Sequence, residues 1–363
     1  MWYNTKLTEV LDIRYPIIQG PFGGGYSTPK LVSIVSNAGG LGSFGAMHLT
    51  PQQIIDTNNS IRELTNKPYA INLWVSDRDE ELSNYGEEEF QRLKKIFKPY
   101  FDEYQIELPE MPVLSNPRFT DQVEALLDAR PPVLSVIFGV PPVDIVEQCK
   151  KRNIRIIGTA TTSDEAVALE MAGVDVVVAS GFEAGGHRGS FLGSVESSLT
   201  GSFSLIPQVA DRVSIPVVAA GGIADGRGIA AALLLGAQGV QIGTAFLACA
   251  ESNATDLHKQ KLFSDESRYT VLTKVFSGRL ARGIRNKFAA EMKQHEADFA
   301  PFPMQRAFLA PLTEKIVANS RQEYMGFWAG QSTPLIEHKS ANELFDALIK
   351  DTGELLSHVN LPV

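Results

Sequence analysis

The sequence predicts an α/β protein in which eight parallel strands, each followed by a helix, close into a barrel. Three observations carry this prediction. Eight short, apolar, β-branched runs occur along the 363 residues, and none alternates cleanly between apolar and polar side chains. Runs of that kind are typical of parallel strands covered on both faces. Helical patterns separate them, and eight strands close a parallel barrel, so we expect a (β/α)8 TIM barrel. A doubly wound open sheet is the alternative.

The predicted elements follow one another in a regular order. We place the strands at Pro16–Gln19, Gly42–Ala46, Tyr69–Trp74, Val133–Phe138, Ile154–Gly158, Val174–Ala179, Ile215–Ala220 and Gly239–Gly243. Helices are expected at Thr28–Asn37, Pro51–Leu64, Val143–Lys151, Ser163–Ala172 and Arg227–Leu235. The third strand is followed by a charged, proline-containing stretch, which we interpret as a helical insertion over about residues 76–131. The barrel should therefore span residues 1–252. Residues 253–363 should form a mainly helical extension that packs on the barrel and its active-site face.

Composition narrows the classes of partner. The formal net charge is −9, with 33 Lys and Arg against 42 Asp and Glu, which disfavours binding to nucleic acid. Two cysteines, Cys149 and Cys249, are too few for a disulfide scaffold or a four-cysteine metal site and suit a reducing cytoplasm. We expect a cytoplasmic protein without a signal peptide, membrane span or bound metal. Five histidines lack the spacing of a zinc site: His48, His258, His295, His338 and His358.

Two glycine-containing turns predict a phosphate site. Gly221 and Gly222 follow the seventh strand, and Gly243 and Thr244 follow the eighth. The loops after the last two strands of such a barrel, with a helix N-terminus, commonly bind phosphate through backbone N–H groups. The glycines could instead serve only as tight turns. The ligand by this reasoning is a flavin mononucleotide (FMN) or a phosphosugar.

Two further segments could contact a planar ring. The loop after the first strand contains Gln19, Gly20, Pro21 and Phe22 followed by three glycines, so its backbone could lie flat against a ring or simply turn. Asn72 is an amide inside an apolar strand and needs a hydrogen-bond partner there. That partner could be the edge of a ring or a neighbouring backbone group.

His187 is the candidate for chemistry. It lies in the glycine-rich segment Glu183–Gly189, just past the sixth strand, and an imidazole can exchange protons near neutral pH. The next residue, Arg188, could hold an anion or pair with Glu183. A loop histidine without a chemical role is the plainer alternative.

The chain resembles the nitronate monooxygenases, which are FMN-dependent barrel enzymes. The resemblance covers nearly the whole chain and is carried by EAGGHRGSF at residues 183–191, AAGGIADGRG at 219–228, FSGRLARGIRNKF at 276–288 and FWAGQ at 327–331. It is weakest over residues 76–131. The combination of the first two motifs also occurs in flavin-dependent enoyl-acyl-carrier-protein reductases.

The resemblance implies roles for individual residues. His187 matches the active-site histidine, and Asn72 and Gly185 would contact the flavin, with Gly186 beside them. Gly221 and Gly222 would hold the phosphate, and Gln241, Ile242, Gly243 and Thr244 would complete that cradle. Two departures concern flavin contacts: Ser180 stands where relatives usually have a glutamine, and Phe22 where a methionine is common. Tyr324, Phe327 and Trp328 are candidate aromatic residues of the substrate pocket.

The implied reaction is oxidative denitrification of an alkyl nitronate with dioxygen to a carbonyl compound and nitrite. His187 would hydrogen-bond the nitro group, or act as a base if neutral nitroalkanes are accepted. The first alternative is an FMN-dependent enoyl-acyl-carrier-protein reductase that uses NAD(P)H. The second is a barrel that binds a phosphorylated metabolite without catalysis. The sequence leaves the physiological substrate and the oligomeric state open.

Overall fold

A computed structural model describes residues 1–114 and 118–357. His358 and residues 115–117 of the expected insertion lie outside the described residues. The main sheet has eight parallel strands, which lie in the order β1 (Ile17–Gln19), β9 (Gly239–Ile242), β8 (Val217–Ala220), β6 (Val176–Ser180), β5 (Arg155–Ala160), β4 (Val133–Ile137), β3 (Tyr69–Trp74) and β2 (Gly42–Gly45). A parallel bridge between Ile18 and Leu41 joins β1 to the residue before β2 and brings the two edges together. The predicted (β/α)8 TIM barrel is confirmed.

All eight predicted barrel strands are present, with ends shifted by at most a few residues. Their bounds are β1 Ile17–Gln19, β2 Gly42–Gly45, β3 Tyr69–Trp74, β4 Val133–Ile137, β5 Arg155–Ala160, β6 Val176–Ser180, β8 Val217–Ala220 and β9 Gly239–Ile242. A second sheet consists of β7 Gly186–His187, β10 Thr270–Thr273 and β11 Ala281–Ile284.

Helices form the outer layer. They are α1 Lys6–Leu11, α2 Pro29–Asn37, α3 Pro51–Leu64, α4 Glu87–Glu103, α5 Phe119–Ala129, α6 Val143–Lys151, α7 Ser163–Ala172, α8 Ser202–Ala210, α9 Gly226–Leu234, α10 Thr244–Leu247, α11 Asp256–Leu262, α12 Lys287–Met292, α13 Met304–Ala318 and α14 Ala341–Ser357. Short 3-10 turns lie at Glu80–Asn84, Val195–Ser198, Asp265–Arg268, Lys293–Asp298, Gln322–Tyr324 and Thr333–Leu335. No helix among the described residues is long and apolar enough to cross a membrane.

Local signals explain several helix starts. Thr50 precedes Pro51; its hydroxyl oxygen accepts a hydrogen bond from the Gln53 N–H, and the Gln53 side-chain oxygen accepts one from the Thr50 N–H. Thr162 caps α7 in the same way through the Glu165 N–H. Leu7 and Leu11 of α1 belong to the cluster that fills the barrel interior, so α1 closes one end of the barrel.

The insertion after β3 and the C-terminal region pack partly in the helix layer of the barrel and partly against each other. Helix α5 packs on α3 and β3, where a barrel helix belongs, whereas α4 packs through Phe97 and Phe101 against the apolar side chains of α12 and α13. Helix α14 packs on α9 and α2, which places it in the helix layer of the barrel. A Cβ on Gly226 would lie 2.7 Å from the Thr352 N atom, so α9 and α14 are in close contact.

The C-terminal region also contains strands that the sequence analysis did not predict. The region after residue 252 contains two strands, β10 and β11, that a mainly helical pattern did not indicate. Strand β11 reads ARGI, and its charged Arg282 is buried. It pairs antiparallel with β10 and with β7, nearly 100 residues earlier. A four-residue strand stabilised by a distant partner carries no local period that the sequence could reveal.

Candidate functional site

The two glycine turns lie side by side at the carboxyl ends of β8 and β9. Ala220 and Gln241 are register partners, so the residues that follow them are neighbours. Gly221 has φ +96° and Gly222 φ +74°, a backbone region that glycine adopts readily. The N–H groups of Gly222 and Gly243 find no acceptor among the described residues. A Cβ on Gly243 would meet no atom within 4 Å. This geometry fits a phosphate held by backbone amides.

The loop after β1 packs against the same turn. The Gly20 N–H donates to the Ile242 carbonyl at 2.8 Å, and a Cβ on Gly20 would lie 3.2 Å from the Gly243 Cα. The Gln19 side chain is fully buried and accepts a hydrogen bond from the Ser43 N–H at 3.0 Å. Phe22 is also buried, and its N–H donates to Ser27 Oγ. The backbone of Gly20 and the half-buried Pro21 is the part that can face a ligand.

Asn72 and Ser180 are already engaged by protein groups. The Asn72 Nδ2 donates one hydrogen bond to Ser135 Oγ at 3.0 Å, and its second N–H and its Oδ1 make no hydrogen bond with the described residues. The Ser180 carbonyl accepts a hydrogen bond from Arg188 at 3.1 Å, and its side chain is half-buried.

The histidine loop is paired to the C-terminal region. Strand β7, Gly186–His187, lies opposite Ala281 and Arg282 of β11. Gly186 has φ +76°, and a Cβ there would meet open space. A Cβ on Gly185 would lie 2.6 Å from the Gly330 N atom. Glycine at position 185 is therefore required by close packing of the FWAGQ segment.

His187 is half-buried and contacts two aromatic rings. The Trp74 ring centroid lies 5.2 Å and the Trp328 centroid 5.4 Å from the centroid of the imidazole. Burial, together with the positive charges of Arg279 and Arg306, lowers the pKa of His187 to about 3. The imidazole is therefore neutral at physiological pH.

A hydroxyl selects the tautomer of that neutral ring. The Nε2 atom of His187 lies 2.8 Å from Ser277 Oγ, and this hydroxyl donates to the Arg279 carbonyl at 3.3 Å. We assign the single hydroxyl hydrogen to that carbonyl, and with this assignment Ser277 Oγ accepts from Nε2–H. The lone pair of His187 is then on Nδ1 and is available as a proton acceptor.

Arg279 is held rigidly beside this centre. Its Nε donates to Asp79 at 2.6 Å, and its guanidinium also binds the Ser76 carbonyl and hydroxyl. The rings of Phe138 and Phe302 lie 4.2 and 4.5 Å from the guanidinium carbon. Cation–π contacts of this kind stabilise a partly desolvated charge.

Arg188 does not form the ion pair with Glu183 that was one of the two sequence expectations. Its guanidinium donates to the carbonyls of Ser180, Gly181 and Ser198 and makes no ion pair with Glu183. The Glu183 carboxylate instead accepts hydrogen bonds from the N–H and hydroxyl of Ser202. Arg188 thus holds the histidine loop to the end of β6.

A cavity of about 900 Å³ lies beside the histidine loop. Ser76, Phe138, Arg188 and Arg279 form part of its wall. Its charged lining comprises seven carboxylates, from Asp79, Glu80, Glu81, Glu89, Glu196, Glu296 and Asp298, and four cations, from Arg92, Arg188, Lys274 and Arg279. The cavity is therefore negatively charged.

Sequence reasoning missed the residues that set the state of His187. Ser277 and Arg279 belong to the FSGR motif, which contributes to the family resemblance but carries no signal for a role of either residue. Of the three candidate pocket aromatics, Trp328 contacts the imidazole ring. Phe327 packs on His258, and Tyr324 packs on Phe288 in a separate cluster. In the described part of the chain, no group of three His, Cys, Asp or Glu residues could hold a metal ion.

Comparisons with known proteins agree with this arrangement. The sequence model of the family described as nitronate monooxygenase matches residues 4–351. A probable nitronate monooxygenase of Staphylococcus haemolyticus is 43% identical over 361 residues, covering 99% of this chain and 100% of that protein. One from Staphylococcus aureus is 40% identical over 359 residues, with 99% and 100% covered.

Two solved structures resemble this chain over nearly its whole length. The nitroalkane oxidase of Streptomyces ansochromogenes has a TM-score of 0.87 and 34% identity, covering 97% of this chain and 99% of that one. FabK of Thermotoga maritima has a TM-score of 0.76 and 29% identity, with 98% and 97% covered.

Proposed function

The chain belongs to the nitronate monooxygenase family of oxidoreductases, and we propose that it binds FMN and converts alkyl nitronates and dioxygen to carbonyl compounds and nitrite. The observation that carries the proposal is a neutral His187 in contact with two tryptophan rings, on the same barrel rim as two glycine turns suited to a phosphate.

The residues at the glycine turns and the neighbouring loops offer the contacts that FMN needs for its phosphate and its ring. The amides of Gly222 and Gly243, with Gly221 and Thr244, would hold the phosphate. Around the ring we place the backbone of Gln19–Phe22 and residues Asn72, Ser180, Gly185 and Gly186, with Gln241 and Ile242 supporting the cradle. Bound FMN would supply the redox chemistry that links the nitro compound to dioxygen.

His187 then acts on the substrate. Its Nδ1 lone pair can take a proton from the α-carbon of a neutral nitroalkane, and the developing nitronate charge favours the protonated ring as transfer proceeds. A nitronate needs no such step. The cations of Arg279 and Arg306, whose charges act on His187, would attract the anionic nitro group instead.

Turnover under air tests the proposal. The purified protein should consume dioxygen and release nitrite when ethyl nitronate is added. We expect His187→Asn to retain FMN and lose most turnover of nitroethane. Wild-type turnover of nitroethane by that variant would remove the histidine from the mechanism, and absence of nitrite from the wild-type protein would refute the reaction.

An enoyl-thioester reductase is the second candidate, because FabK shares the fold over nearly the whole chain. Such an enzyme must admit a nicotinamide dinucleotide, whose pyrophosphate is anionic. The large cavity carries seven carboxylates against four cations, which disfavours a pyrophosphate in it, whereas His187 and the glycine turns, where we place the nitronate and FMN, are not part of its wall. Consumption of NADPH with an enoyl thioester, and none with a nitronate, would reverse this choice.

A further inference from the structure

The peptide group between Gly221 and Gly222 is shared by the candidate phosphate site and the protein interior. Its N–H, on Gly222, finds no acceptor among the described residues, and its carbonyl oxygen, on Gly221, lies 2.9 Å from the Ser202 hydroxyl oxygen. In a planar trans peptide the N–H and C=O groups point in opposite directions. A group that holds the carbonyl therefore aims the N–H at the position proposed for the phosphate.

Glu183 holds Ser202 in that place. Its two carboxylate oxygens each lie 2.9 Å from the Ser202 N atom, and one of them lies 2.9 Å from the Ser202 hydroxyl oxygen. A Cβ on Gly222 would lie 3.6 Å from the Glu183 Cβ, so the glutamate also borders the turn itself. Ser202 and Glu183 thus connect the first glycine turn, residues 221–222, to the histidine loop, residues 183–189.

The loop and the turn also touch through their backbones. The Gly181 N–H donates to the Ala220 carbonyl at 2.8 Å, and a Cβ on Gly221 would lie 3.0 Å from the Ala184 N atom. The four carbonyls of residues 180–183 all accept hydrogen bonds. Their donors are Arg188 for residues 180 and 181, Arg282 for residue 182 and the Gln331 N–H for residue 183. Backbone bound at successive residues carries a displacement onward, and His187 lies only a few residues beyond Glu183.

We propose that Glu183 is a positioning residue, through which a phosphate on the first glycine turn orders the histidine loop and sets the place of His187. The inference rests on the proposed function and adds that the phosphate of FMN, apart from its ring, prepares the proton acceptor. A phosphate bound by the Gly222 N–H fixes the peptide group, then Ser202 and then Glu183. The tail of the cofactor alone should therefore make the loop more rigid.

Ribitol 5-phosphate, which is the tail of FMN without its ring, is the probe. Amide hydrogen exchange of the apoprotein reports the order of the loop at Ala184 and Arg188, whose N–H groups donate to the carbonyls of Gly181 and Leu280. We expect the tail to slow exchange at these two reporters about twofold to tenfold, the range for one hydrogen bond gained in the native state. Exchange at the glycine turns should slow as well, by direct contact.

Three variants test the link itself. Glu183→Ala should keep the slower exchange at the glycine turns and lose most of the response at the two reporters. Ser202→Ala keeps the N–H that Glu183 accepts and removes only the hydroxyl that reaches Gly221, so it should lose the response while the loop stays anchored. Glu183→Gln should recover the response in part, because an amide oxygen can still accept from the Ser202 N–H.

A second contact joins the cradle to the loop. The Gly330 N–H donates to Thr244 Oγ1 at 3.0 Å, and a Cβ on Gly185 would lie 2.6 Å from the Gly330 N atom. Because this contact remains in Glu183→Ala, we expect that variant to lose most, rather than all, of the response.

Glu170→Ala is the matched control. The Glu170 carboxylate also accepts from backbone N–H groups, those of Ser214 and Ile215, but these residues precede β8 and lie at the opposite end of the barrel. The variant removes the same kind of interaction, so it should lower stability and leave the response to ribitol 5-phosphate at the wild-type level. A response that depends on the ligand thereby separates positioning from general stability.

The outcomes distinguish this proposal from the proposed function. No response of the loop to the tail, with or without a response of the glycine turns, would overturn the role of Glu183. An equal response of the loop in the wild-type protein and in Glu183→Ala would also overturn it, and so would an equal loss in Glu170→Ala. Failure of FMN itself to slow exchange at Gly222 and Gly243 would refute the phosphate site and, with it, the proposed function.

Discussion

The tautomer of His187 depends on one hydroxyl, and Ser277→Ala removes it. The substitution deletes the acceptor 2.8 Å from Nε2 and frees the Arg279 carbonyl. A typical hydrogen bond contributes about 0.5–1.5 kcal/mol net, so its loss lets the second tautomer compete by roughly twofold to tenfold. We therefore expect the fraction of molecules that present the lone pair at Nδ1 to fall from about 0.7–0.9 to about one half, and kcat/KM for neutral nitroethane to fall by about 1.5-fold to twofold.

The assay compares nitroethane with ethyl nitronate by dioxygen uptake. The nitronate requires no proton transfer to the ring, so its kcat/KM should be unchanged. Ser60→Ala is the control: this exposed serine on α3 donates to the Asp56 carbonyl and should affect neither substrate. An equal loss with both substrates, or no loss with nitroethane, would refute the tautomer argument.

Three other predictions concern FMN binding at the glycine turns, the loss of folding stability at acid pH and the order of the histidine loop. Gly243→Ala should reduce FMN affinity at least about tenfold in equilibrium titration. The thermal midpoint of the apoprotein should stay unchanged, because the new Cβ would enter open space at an allowed φ of −97°. A lower midpoint of the apoprotein would contradict this. The pKa of His187 falls from 6.5 to about 3 on folding, so the unfolded state binds the extra proton and stability declines as pH falls through that window. His187→Asn should flatten this decline in a series of melting curves, and an unchanged slope would argue against it. Glu165 is buried and accepts from the Phe191 and Leu192 N–H groups, so Glu165→Gln should cost about 1–3 kcal/mol and speed amide exchange across the histidine loop; protection equal to wild type would contradict that role.

Local chemistry explains why the barrel could be predicted so fully. Each barrel strand carries its own apolar run, and the capping residues Thr50 and Thr162 mark where the helices begin. The same reasoning placed Gly221, Gly222 and Gly243 together, because the carboxyl ends of adjacent parallel strands must meet at one edge of the barrel.

The tautomer and the lowered pKa of His187 could not be predicted in this way. Ser277 lies 90 residues after His187 and reaches it only because β11 pairs with β7. Arg279 and Arg306 act through charge across the rim, and neither has a sequence signature for that role. Arg188 also misled the sequence argument, since an arginine beside a glutamate suggests an ion pair, whereas burial directed it to backbone carbonyls.

Anaerobic mixing of the purified protein with a nitronate tests the central claim most directly. The account predicts rapid loss of the visible absorbance of oxidised flavin on addition of propionate 3-nitronate, and none on the same timescale with NADPH. Rapid bleaching by NADPH alone, or a colourless protein that binds a sugar phosphate, would contradict it.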